Sequence, residues 1–126
     1  MIISGAVLDA GAFIALERAD PTMRMLVDRI RRESPPLVTS AGVVAQVWRG
    51  GARRQVELAF LLRRTEVVDL TDSQARVVGT LLGVTGTSDP VDAHIALIAR
   101  TRGWPVLTSD PDDLRTLDPQ LTVFTI

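Results

Sequence analysis

Asp9, Asp89, Asp92 and Asp110 are the residues of this chain whose type and placement could do chemistry together. Asp9 ends the apolar run from Gly5 to Leu8, and Asp110 ends the run that begins at Pro105. Asp89 precedes Pro90, and Asp92 lies one helical turn further on, on the same face. Like charges at one place repel, and each carboxyl has its pKa raised unless a cation neutralises the group. The chain has no cysteine and a single histidine, so the donors are oxygens. Such a set suits a hard divalent ion, magnesium or manganese. Two such ions, about 4 Å apart, activate water and stabilise the leaving oxygen in phosphodiester cleavage. Each acid also has a local explanation: Asp89 as an N-cap, Asp92 beside a helix dipole, Asp110 as a cap before Pro111, Asp9 as a turn residue. Their conjunction is what points to a site.

The elements that must position these acids alternate. Gly5–Leu8 reads as a strand, followed by a turn at Gly11 and a helix over residues 12–19. Asp20 caps a second helix opened by Pro21 and stopped by Pro35-Pro36. Residues 37–39 form a second strand, and Ser40 caps a helix closed by Gly50-Gly51. A helix over 52–64 leads to a strand at 66–70. Thr71 caps a helix over 72–83, and Ser88-Asp89-Pro90 opens another that ends at Gly103. Residues 105–110 form a fourth strand, 111–117 a short helix and 121–126 a last strand. Short apolar strands alternating with helices predict a parallel sheet covered on both faces. The expectation is a three-layer α/β/α single domain over residues 1–126, with a central parallel sheet of about five strands. In such sheets sites form beyond the carboxyl ends of the strands, which is where Asp9 and Asp110 fall.

Composition narrows the function. With 126 residues, 46% of them hydrophobic, the chain can bury a core without staples. Disulfides, thiolate metal sites and a cysteine nucleophile are excluded. No apolar stretch reaches the length of a membrane span, and the N-terminus reads as strand and helix rather than leader, so the expected location is the cytoplasm. All 14 basic residues are arginine, and the net charge is −1. A phosphoacceptor domain that uses a lysine near the phosphate is therefore disfavoured. Residue 11 is glycine, which removes a DxD phosphatase motif, and no Gly-Lys-Ser/Thr run exists for a P-loop.

The segments at 7–16 (VLDAGAFIAL), 40–50 (SAGVVAQVWRG), 87–100 (TSDPVDAHIALIAR) and 106–114 (VLTSDPDDL) resemble, in order and spacing, the successive blocks of PIN-domain nucleases, and most of all the VapC-type toxins of bacterial toxin–antitoxin pairs. The resemblance covers essentially the whole chain. It implies a metal-dependent endoribonuclease with Asp9, Asp92 and Asp110 as catalytic acids and Asp113 as a frequent additional ligand. It also implies an RNA substrate, a VapB-type antitoxin whose C-terminal segment lies across the toxin, and a homodimer. One departure stands out: Gln46 occupies the position where the family usually carries glutamate. An amide ligates through its oxygen but adds no charge. Three aspartates do not balance two divalent ions, and Asp89 is the candidate for the missing charge. The alternative that Gln46 raises is a catalytically weak or inactive PIN-like binding protein.

Arginines occur at 29, 31 and 32, at 49, 53 and 54, and at 63 and 64. They read first as solvated helix faces. Arg49, Arg53 and Arg54 follow the Gln46 helix and are the candidates for phosphate contacts with RNA. Trp48 and Trp104 read as core or interface residues rather than base-stacking platforms. His94 reads as a surface or half-buried residue, and Phe13, Leu16, Leu26 and Ile30 as either core or a partner groove.

Overall fold

The structure is a computed structural model and describes residues 4–51 and 55–126. Five strands form one sheet in the order β3-β2-β1-β4-β5, and every neighbouring pair is parallel. They are β1 (Ala6–Leu8), β2 (Leu37–Ser40), β3 (Thr65–Val68), β4 (Val106–Thr108) and β5 (Val123–Thr125). Seven helices lie between them among the described residues: α1 (Ala10–Glu17), α2 (Pro21–Glu33), α3 (Ala41–Val47), α4 (Val56–Arg63), α5 (Asp72–Thr85), α6 (Pro90–Arg102) and α7 (Pro111–Leu117). Helix α1 packs on α2, α3 and α4, while α5, α6 and α7 pack on one another. The architecture is the three-layer α/β/α fold expected from the alternation.

The starts of the helices follow from their caps. The side chains of Asp9, Asp20, Ser40, Thr71 and Asp89 each accept a backbone N–H of the first turn, which satisfies donors that no helix can satisfy internally. Pro21, Pro90 and Pro111 stand at first helical positions, where the missing N–H costs nothing. Strands β1, β2 and β4 are buried along their whole length, as central parallel strands must be. Their side chains join Phe13, Leu16, Met23, Leu58, Leu61 and Ile95 in one contiguous core.

The structure corrects the reach of α3 and the burial of His94, and decides an open choice at Phe13, Leu16, Leu26 and Ile30. Helix α3 stops at Val47, not at Gly50-Gly51, and Trp48 is already extended. The cause is Gln55, whose buried amide holds the backbone on either side of Trp48. His94 is fully buried, at 0% exposure, because its Nδ1 finds the hydroxyl of Ser40 at 2.7 Å, from a segment 54 residues away. Of the four residues read as either core or groove, Phe13, Leu16 and Ile30 are core, and Leu26 packs against it half-buried.

Strand order decides where a ligand could enter. From β1 the chain moves outward through β2 to β3, then returns to lay β4 on the other side of β1. The direction of winding therefore reverses between β1 and β4, which leaves a crevice beyond their carboxyl ends. The opposite edge of the sheet receives the helix C-termini, and α2, α4 and α6 end there in Arg31 and Arg32, Arg63, and Arg100 and Arg102. Arg31 and Arg64 sit over the Phe60 ring, 3.9 and 4.7 Å from its centroid.

Candidate active site

Asp9 leaves β1 directly into the crevice. Its backbone N–H still bonds Leu107 of β4, and its Oδ1 caps α1 at the N–H of Ala12, 3.1 Å away. It is 7% exposed. Burial is the main force raising its pKa, opposed by a hydrogen bond from Thr108 and by the α1 backbone. Thr108, at the end of β4, is wholly buried. Its hydroxyl donates to the Asp9 carboxylate and accepts the N–H of Asp110 at 2.9 Å. One threonine thus sets the positions of two acids from neighbouring strands. Gly11 makes this closeness possible, since a Cβ there would strike the hydroxyl of Ser109.

Asp92 stands in the first turn of α6, partly buried. Its pKa is pushed up to about 6, first by desolvation and then by Asp89, Asp9, Asp113 and Asp110 in decreasing order. Asp92 is therefore within electrostatic reach of the other four carboxylates. Asp113 is also raised, chiefly by Asp110, with which it shares a hydrogen bond. Asp89 accepts the N–H groups of Val91 and Asp92 through Oδ1, so the capping reading holds for it as well. Asp110 occupies the N-cap position of α7, but its side chain makes no capping bond. A cleft of about 230 Å³ opens beside these acids between α6 and α7, lined by Thr87, Ser88, Asp89, Asp92, Asp113 and Thr116 among others.

The charge balance of this corner is unlike that of the rest of the surface. The six ion pairs among the described residues use Glu33, Glu57, Asp72, Asp118, Glu66 and Asp112. None uses Asp9, Asp89, Asp92, Asp110 or Asp113. An oxygen-only donor set without a cationic side chain fits a hard divalent ion in kind. The side chains stand apart as they lie, for among the described residues no three His, Asp or Glu groups are drawn together tightly enough to hold one.

Gln46 is exposed on α3, and its side chain makes no hydrogen bond with another described residue. Arg49 is exposed, and its guanidinium donates to the carbonyls of Ala45 and Trp48. Arg53 and Arg54 lie outside the described residues. The Ser40–His94 pair has the look of a nucleophile and base, but Ser40 and His94 are sealed in the core and no substrate reaches them. Ser40 caps α3 through Gly42, so the pair joins α3 to α6. Thr108 is the site residue that sequence reading missed. Its signal was available, as a hydroxyl residue in the last position of a strand, two before an acid.

A Thr108→Val variant removes one donor from Asp9 and one acceptor from Asp110. Its affinity for manganese, followed by titration calorimetry, is expected to fall about 10- to 100-fold. Its stability should fall by about 1–3 kcal/mol.

The model of the PIN domain family matches residues 6–118. The chain belongs to the PIN-domain family. Its fold is similar to that of VapBC2 from Rickettsia felis, solved bound to a DNA fragment from their promoter, at 16% identity and a TM-score of 0.72 over 97% of this chain and 98% of that one. VapBC-5 of Mycobacterium tuberculosis, a member of the VapBC family of toxin–antitoxin systems, is similar at 26% identity and a TM-score of 0.54, covering 98% of both chains. PAE2754 from Pyrobaculum aerophilum is similar at 17% identity and a TM-score of 0.62, over 97% of this chain and 92% of that one. No curated protein sequence matches significantly. PIN domains are generally nucleases that use divalent metals. Among the described residues, no helix of this PIN domain is long and apolar enough to cross a membrane.

Proposed function

We propose that this PIN domain, working as a single domain in the cytoplasm, is a metal-dependent endoribonuclease and the toxin of a toxin–antitoxin pair. The observation that carries the reading is the set of five aspartates at the β1/β4 crevice, none of them paired with an arginine among the described residues, where the Asp92 pKa is raised to about 6. The family and the VapBC structures similar to the chain support it.

Asp9, Asp92 and Asp110 would hold magnesium or manganese, with Asp89 and Asp113 at the margin and the Gln46 amide as a neutral ligand. A bound divalent ion supplies Lewis-acid chemistry for phosphodiester hydrolysis. The chain supplies the rest. Thr108 fixes the direction of the Asp9 carboxylate, the α1 cap holds it near the ladder, and burial keeps competing water away from it. The nucleophile in this reading is water, since the one Ser–His pair of the core is closed to substrate. The natural partners are RNA, a VapB-type antitoxin and a second copy of the chain. Arg49, with Arg53 and Arg54, would contact RNA phosphates.

The test is direct. Purified protein is incubated with structured RNA in magnesium, in manganese and with chelator. Cleavage is expected only with the divalent ions. Cleavage that survives chelation, or none under any condition, rejects the reading. The second outcome favours the other assignment, a binding protein without catalysis, to which the exposed and unengaged Gln46 already points.

Asp89 has a test of its own. Asparagine caps helices about as well as aspartate, so Asp89→Asn removes charge while leaving α6 capped. Manganese affinity is expected to drop about tenfold, and Gln46→Glu in the same molecule should recover most of it. Unchanged affinity in Asp89→Asn would mean that Asp89 does not replace the missing glutamate.

A further inference from the structure

Trp48 is the one exposed ring among the five aromatic side chains of the chain, at 44% exposure. Single exposed apolar residues are ordinary on any surface. The support beneath this one is not. The amide of Gln55, itself buried, accepts the N–H of Arg49 at 2.9 Å and donates to the carbonyl of Val47 at 2.9 Å. Those are the peptide groups on either side of Trp48. The remaining amide proton goes to Glu17 at 3.0 Å, at the end of α1. One side chain thus spends its hydrogen-bonding capacity on holding the backbone at Trp48 in an extended conformation (φ −76°, ψ 131°) that ends α3. Gly50 and Gly51 follow at φ +75° and +72°, a left-handed pair that no other residue type adopts as readily. A Cβ at Gly50 would approach the indole Nε1 edge, and glycine leaves that edge uncovered. The result is an indole on a fixed pedestal, open to solvent.

Beside it stands Arg49, held by two carbonyls and without a carboxylate among its described partners. Helix α3 is about 10 Å long at the usual rise per residue, and it starts at the carboxyl end of β2, next to β1. Trp48 is therefore one short helix away from the edge that carries Asp9. A flat aromatic surface with an adjacent guanidinium is the pairing that binds an unpaired base and its phosphate. A pre-held ring loses little entropy on binding.

We propose that Trp48 is a stacking platform for an unpaired base of the RNA substrate, with Arg49 against the neighbouring phosphate. The inference rests on the nuclease reading above, but its test is separate from cleavage.

The probe is a labelled single-stranded RNA octamer, titrated with chelator present and again with calcium, and followed by anisotropy. Against the parent, Trp48→Ala is expected to bind about 5- to 100-fold more weakly, Trp48→Phe to keep most of the affinity, and an abasic octamer to bind as poorly to the parent as the intact octamer does to Trp48→Ala. In a Trp104→Phe background, where Trp48 is the only tryptophan, the octamer should quench the indole emission saturably. In cleavage, Trp48→Ala should raise KM and leave kcat nearly unchanged. Equal affinity for intact and abasic octamers, or an indole that does not respond, overturns the platform. So does a change in sedimentation of Trp48→Ala without a change in RNA affinity, which would assign the ring to a protein interface. RNA cleavage by the parent with no stacking leaves the nuclease standing and removes only the platform.

Discussion

An Asp9→Asn variant is expected to lose metal-dependent RNA cleavage by about a thousandfold while remaining folded. Losing one preorganised electrostatic group from a catalytic site costs roughly a hundred- to a thousandfold, and a buried ligand belongs at the upper end. Asparagine is the informative replacement because it separates two duties. As an N-cap it is as good as aspartate, so α1 keeps its bond to Ala12, and its side-chain oxygen can still accept from Thr108. What disappears is charge. Burial raises the Asp9 pKa, so the ionised carboxylate strains the metal-free fold. The variant should melt above the parent in chelator, and lose that advantage in saturating magnesium, which stabilises only the protein that binds it. A melting temperature that rises equally with magnesium in both proteins would remove Asp9 from the set of ligands, whatever happened to activity.

The second large effect is on pH dependence, and Asp92 carries it. Its folded pKa of about 6 lies above the ordinary value of 3.8. The folded state therefore holds this proton more tightly than the unfolded chain. The associated stability is fully present below about pH 4 and is lost as pH rises through 6. Because the group is only partly buried, solvent screening discounts the effect to about 1 kcal/mol. Metal-free protein should accordingly lose a few degrees of melting temperature between pH 4 and 7, over and above the other groups, and Asp92→Asn should flatten that slope. Activity runs the other way. Ionised Asp92 is the form that binds a cation, so cleavage should rise with pH toward a plateau above about 6. Metal binding should release protons near that pH, measurable as a buffer-dependent heat. An Asp92→Asn protein with the parent's pH–stability curve would show that the proton belongs elsewhere in the cluster.

Much of this arrangement is legible in the sequence, and the reasons are local. Apolar runs closed by Asp9 and Asp110 mark strands with acids at their carboxyl ends, and Pro90 and Pro111 fix where the next helices begin. Parallel winding then brings such ends to one edge whatever the details of packing. The features that stay hidden are set by contacts between distant segments. Gly50-Gly51 is a strong helix-stop signal, yet α3 ends three residues earlier because Gln55 claims the carbonyl of Val47. His94 has the sequence surroundings of an ordinary surface or half-buried histidine, and only Ser40, at the end of β2, supplies the partner that buries it. Tryptophan is usually core, and only the Gln55 clasp explains why Trp48 stands outside. The helix expected over residues 72–83 runs on to Thr85 before the left-handed Gly86. Gln46 differs in kind, since the side chain is exposed and its part in the chemistry depends on a ligand.

The arginines that end α2, α4 and α6 lie across the sheet from aspartates that pair with no described cation, and the helix dipoles, positive at their N-termini, oppose this separation of charge. With a net charge of only −1, and with Arg31, Arg100 and Arg102 already paired to Glu57, Asp118 and Glu66, the positive end is largely neutralised while the carboxylate end, among the described residues, is not. A diffusing polyanion is therefore repelled chiefly from the carboxylate end. On the nuclease reading, divalent ions loaded at the carboxylates would relieve that repulsion, so their concentration would govern how often RNA reaches the crevice as well as how fast it is cut. At low ionic strength, where such fields reach furthest, the encounter rate should be the more ion-sensitive of the two.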